Sequence, residues 1–85
     1  MSIFKPALPV TTTGQLSLGQ SPSKSLSILS AGVSGTLGVF LNGTFYPNAE
    51  GDIESGEMLV FDCGVGREVG INVTSGTGII SSSVV

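Results

Sequence analysis

The pair Asn42-Gly43, inside "TLGVFLNGTFYP", constrains this chain more than any other feature. A two-residue hairpin of type I′ needs positive φ at both central positions, and Asn followed by Gly tolerates this best. Fixing the turn fixes the register: Leu41 faces Thr44, Phe40 faces Phe45 and Val39 faces Tyr46. Side chains alternate along a strand, so Phe40 and Phe45 share one side while Leu37, Val39, Leu41 and Tyr46 share the other. Neither side of this ribbon is built for water alone. Pro47 has no amide hydrogen to give a ladder and is expected to end the second strand.

The same period of two recurs along the chain, broken by turn residues at short intervals. Strands are expected at "QLSLG" (Leu16, Leu18), "SLSILS" (Leu26, Ile28), "EMLVFDCG" (Met58 to Cys63) and "EVGINV" (Val69, Ile71 and Val73 on one side), with a last one at "GIISSSVV". The intervening "TSGTG" is expected to reverse the chain. Every window long enough for a helix holds Gly, Pro or a Ser/Thr cluster that lowers helix propensity. The pattern predicts an all-β fold: a small antiparallel β-sandwich or flattened barrel of about six to eight strands. Residues 14–85 are expected to form this single domain. Residues 1–13, with Pro6 and Pro9, read as an extended N-terminal arm that either packs over one end of the domain or reaches a neighbour.

Size makes the surface informative. A domain of 85 residues buries only roughly 60 to 65% of the surface its unfolded chain exposes, so its core is thin. The one cysteine, Cys63, has no partner for an internal disulfide, and there is no His. Oligomerisation or docking onto a larger body is the natural substitute for such staples. Disorder is disfavoured, because 40% of the residues are hydrophobic and the net charge is only -3. Charged residues make up 11% of the chain against roughly a quarter in an average domain, and none follows Glu68. A surface so poor in charge is suited to meeting something other than water. "MSIFKPALPV" lacks the form of an export signal, and the apolar runs are too short to span a bilayer, so a membrane role is not expected.

The inventory argues against catalysis. Without His there is no ordinary general base, and a Ser beside Lys24 in "SPSKS" is a common coincidence in a Ser-rich loop. Cys63 in "FDCGVG" reads as a small buried apolar residue, with Arg67 the nearest cation to activate it. "GVGREVG" lacks the lysine pattern of a phosphate loop. Three basic residues in an acidic chain cannot supply the phosphate contacts that nucleic-acid binding needs. The acidic stretch from Asn48 to Glu54, with Glu50 and Asp52 between, offers oxygen ligands for calcium. A loop that keeps a sheet edge wet and unpaired explains the same residues and is preferred. No cofactor is expected. Asn42 and Asn72 fit the glycosylation pattern, but the turn and an outward strand position account for them.

"GREVGINVTSGTGIISSSVV", with "SGTLGVFLNGTFYP" before it, resembles small β-sandwich structural proteins of tailed bacteriophages. The resemblance implies a non-enzymatic virion component, made in the host cytoplasm, that binds a protein lattice in many copies. A capsid decoration protein on the major capsid protein is its most specific form, with a homo-oligomer, a trimer above others, as the expected state. The contacting residues are expected on the arm (Ile3, Phe4, Leu8), the hairpin (Val39, Leu41, Tyr46) and the uncharged finish (Ile80, Val84, Val85). The alternative is a tail- or fibre-associated module that binds a host surface or glycan. A fibre subunit completed by a donated strand ranks below both, since the prolines of the arm interrupt a ladder.

Overall fold

The computed structural model describes residues 3–85, and every regular element among them is a strand, as the period of two required. The six are β1 (Ala7–Val10), β2 (Gly14–Gln20), β3 (Ser25–Leu41), β4 (Thr44–Ile53), β5 (Met58–Asp62) and β6 (Glu68–Val84). All pairings are antiparallel and join the strands into one sheet.

Two long strands form its spine. β3 and β6, of 17 residues each, pair with each other from Leu26↔Val84 to Phe40↔Glu68. β1 and β2 line the free edge of β6, and β4 and β5 line the free edge of β3. Seventeen extended residues span about 56 Å, yet the longest dimension of the molecule is 28 Å. The spine is therefore bent near its middle, where the β3–β6 register shifts between Ala31 and Val33 and again after Ser34. Gly32 and Gly76 sit at this corner with φ of +85° and +89°, a conformation that side chains with a Cβ rarely adopt. Bulges and glycines turn strands through corners in this way.

The bend divides the sheet into two leaves. The first contains β1, the end of β6, the start of β3 and β5; the second contains β2, the start of β6, the end of β3 and β4. Two connections cross between their open ends, Ser21–Lys24 and residues 63–67. They hydrogen-bond to each other: Ser21 N donates to Arg67 O (2.8 Å) and Gly64 N to Lys24 O (2.9 Å). A four-residue link reaches at most about 14 Å, which keeps the ends of the two leaves that it joins close together. Their inner sides share one core: Val10, Leu26, Ile28, Phe61 and Ile80 from the first leaf, Leu18, Leu37, Ile53, Val69, Ile71 and Val73 from the second, and Val33 at the corner. The exposed surface is 4650 Å², against about 4,700 Å² expected for a folded chain of 8.6 kDa, so the chain alone reaches ordinary compactness.

The hairpin forms in the expected register, with Asn42 at φ 53° and Gly43 at φ 80°. Four expectations are corrected. Pro47 does not end β4, which runs on to Ile53. The closing pair Leu41↔Thr44 exchanges both its bonds, so by alternation Gly38↔Pro47 is a non-hydrogen-bonded pair and the missing amide hydrogen of Pro47 faces outward. "TSGTG" does not reverse the chain, because Gly76 still pairs with Val33 and β6 continues through the corner; "SLSILS" and "TLGVFL" are likewise parts of one strand. The acidic stretch is not a free loop but a bulge of β4, with three more residues between Pro47 and Asp52 than the facing strand has between Gly38 and Thr36. The 1–13 segment, expected as an arm, holds β1, and Lys5 N donates to Leu18 O (2.7 Å) on β2. Its first two residues lie outside the described residues.

Candidate docking face

The outer sides of the two leaves differ in chemistry, and strand alternation explains the difference. On the second leaf the outward residues other than glycine are Gln15, Ser17 and Gln20 of β2, Glu68 and Asn72 of β6, Thr36 and Phe40 of β3, and Phe45, Pro47 and Asp52 of β4. Their polar groups bond laterally: Ser17 Oγ donates to Glu68 Oε2 (2.6 Å) and Thr36 Oγ1 to Asp52 Oδ1 (2.8 Å). Phe40 and Phe45 pack edge to face at 5.3 Å between centroids, over the space that Gly70 and Gly38 leave open. Rings laid across strand glycines cover backbone that would otherwise be bare. This is a face finished for solvent.

The first leaf is finished otherwise. Its outward residues are Ala7 and Pro9 on β1, Ile79, Ser81 and Ser83 on β6, Ser25, Ser27, Leu29 and Ala31 on β3, and Met58, Val60 and Asp62 on β5. Met58 lies beside Leu29, Ala31 beside Ile79 and Ile79 beside Pro9, so the apolar side chains run diagonally across all four strands. Leu29 and Ile79 are each 44% exposed, Val60 56% and Met58 66%. Asp62 stands at the border and accepts a hydrogen bond from Ser25 Oγ; no other charged residue faces out from these strands.

The residues expected to make contacts do not share one surface. Ile3 is exposed beside β2, and Phe4 and Leu8 are half-buried against the core of their own chain. Val39 is half-buried, while Leu41 and Tyr46 are exposed; all three border an open cleft of 340 Å³ that also includes Phe61, Asp62 and Arg67. Val84 and Val85 are exposed at the end of β6. Ile80 is fully buried, and its neighbour Ile79 is the outward residue. The outward apolar residues Leu29, Met58, Val60 and Ile79 were not among those expected. Their signal is in the sequence: "SILS", "EMLVF" and "GII" place apolar residues at adjacent positions, and adjacent residues of a strand lie on opposite faces.

Two chemical expectations receive a location. Cys63 is half-buried, its Sγ 3.8 Å from Ser23 O and 3.7 Å from Lys24 O, so the thiol points into the backbone of the crossing loop. In the acidic bulge Glu50 N donates to Asn48 Oδ1 (2.9 Å), and among the described residues no three acidic, His or Cys side chains gather as a metal site would require. The chain matches no known protein family, and no curated protein or solved structure matches it.

Proposed function

We propose that this chain is a non-enzymatic structural protein that docks the outer side of its first leaf onto another protein. In its most specific form it is a capsid decoration protein of a virion, held in many copies on the major capsid protein. The observation that carries the reading is the diagonal of Leu29, Met58, Val60 and Ile79 on a sheet face with no charge inside its border. Burying such a face costs little desolvation of charge and returns roughly 25 cal/mol for each Å² of apolar surface.

Size bears on the mode of binding. Four strands about 4.8 Å apart and some five residues long give a footprint of roughly 300 Å², small beside the ~800 Å² that each partner buries in a standard interface. A single contact of that size is weak. Repetition on a fixed lattice multiplies weak contacts through effective concentration, which is what a decorating subunit uses.

The test is a pair of substitutions, Leu29→Lys with Ile79→Lys. Both side chains point outward, so the circular dichroism and unfolding midpoint stay near those of the native chain. Particles isolated from cells producing the native chain carry it in stoichiometric, symmetric density. The double variant stays in the supernatant, its binding weakened about a hundredfold or more by two charges set against an apolar surface. Equal incorporation of both proteins would refute this use of the face.

A second reading rests on the 340 Å³ cleft, where the ring of Tyr46 stands 52% exposed near Asn48, Asp62 and Arg67. An exposed ring beside hydrogen-bonding groups suits a sugar on a host surface. Glycan-array binding that Tyr46→Ala abolishes, without particle association, would favour this module over decoration.

A further inference from the structure

We infer that two copies of this chain pair edge to edge through β5, antiparallel about Val60, to join their first leaves into one eight-stranded sheet. The inference starts from the direction of the backbone groups. Ser30 N donates to Glu57 O (3.0 Å) and Cys63 N to Lys24 O (3.1 Å), at the two ends of the β3–β5 ladder. Hydrogen-bonded and non-bonded pairs alternate, so Leu59 and Phe61 exchange the ladder bonds with Ile28 and Leu26. The N–H and C=O groups of Met58, Val60 and Asp62 consequently face away from β3. β5 pairs with β3 alone, and no backbone hydrogen bond among the described residues reaches its outer side.

Bare edges invite pairing, and the other three in this fold are blunted. On β1, Ser82 N donates to Pro6 O (2.7 Å), and the same alternation places the nitrogen of Pro9 outward, where it offers no donor. β2 is covered by the hydrogen bond from Lys5 N to Leu18 O. β4 has Pro47 and the Asn48–Gly51 bulge. β5, "MLVFD", has no Pro, Gly, Lys or bulge.

The strand is also self-complementary. A two-fold axis at Val60 sets Val60 against Val60 and Met58 of each copy against Asp62 of the other, so every outward N–H and C=O of these three residues finds a partner. Asp62 then meets Met58 and not another acid, and its carboxylate already accepts the Ser25 hydroxyl. Glu57 points to the opposite side of the sheet by alternation. From the other leaf, Glu50 borders a hollow with Val60 and Asp62. The contact is isologous and closes at two copies. It leaves the apolar face open and doubles its length.

Sedimentation over a concentration series tests the pairing. The native chain shifts from monomer to dimer, more readily at high salt because each copy has a net charge of -3. Val60→Pro removes an amide hydrogen that faces outward, so the β3–β5 ladder keeps its bonds while association weakens at least about a hundredfold. Val60→Lys does the same by charge and carries the test if the proline variant unfolds. Amides of Met58, Val60 and Asp62 exchange more slowly as native concentration rises. A native chain that stays monomeric, a trimer, or a dimer that persists in both variants would overturn the inference. Leu29→Lys with Ile79→Lys remains dimeric, because neither residue is on β5, so failure of this pairing and failure of face docking are told apart.

Discussion

Replacing Gly76 by Ala is expected to lower the stability of this protein by roughly 3 kcal/mol or more, measured as a shift in urea-induced unfolding. Two effects add. The backbone at Gly76 has φ +89°, where a residue with a Cβ is strained by about 1 to 2 kcal/mol. The new Cβ would also lie 2.1 Å from the carbonyl oxygen of Gly32 on the paired strand, so the corner itself must open. Stability near 0.1 kcal/mol per residue gives a chain of this length on the order of 8 kcal/mol, of which this loss is a large part. Gly43→Ala separates the two effects: its φ of +80° imposes similar strain, but nothing lies within 4 Å of the added Cβ. That control is expected to lose only about 1 to 2 kcal/mol. Equal losses at Gly43 and Gly76 would contradict a tightly closed corner between the leaves.

Leu37→Ala is expected to cost about 2 to 5 kcal/mol, the range for emptying a packed leucine site. Leu37 is fully buried and faces the core from the middle of the second leaf, paired with Ile71. Leu41 lies on the same side of the same strand four residues on but is 39% exposed at the cleft, and truncating it is expected to cost under about 1.5 kcal/mol. Thermal unfolding of the two variants compares a residue of the shared core with one at its rim. Similar losses would mean that the leaves do not close over Leu37 as described.

The sequence was legible where chemistry is local. Asn42-Gly43 specified a turn geometry that few other pairs adopt, and the turn then set which residues oppose one another for several positions on either side. The alternation of Val69, Ile71 and Val73 marked an inner side, and all three are buried. The apolar outer face was harder to see. Apolar residues at adjacent positions, such as Ile28 and Leu29, can mean burial on both faces or exposure on one, and here Ile28 is buried while Leu29 is exposed. Choosing between those outcomes needs to know whether another layer covers the second face.

By itself, the sequence determined the strand class, the hairpin and the identity of much of the core, because turn preferences and side-chain alternation act between residues close along the chain. Tertiary structure alone decided that "TSGTG" is a corner and not a reversal. A glycine at positive φ serves both, and the pairing of Gly76 with Val33, 43 positions apart in sequence, selects the corner. It also decided which outer side is apolar and exposed, since that depends on what the fold leaves uncovered after the two leaves have closed on each other.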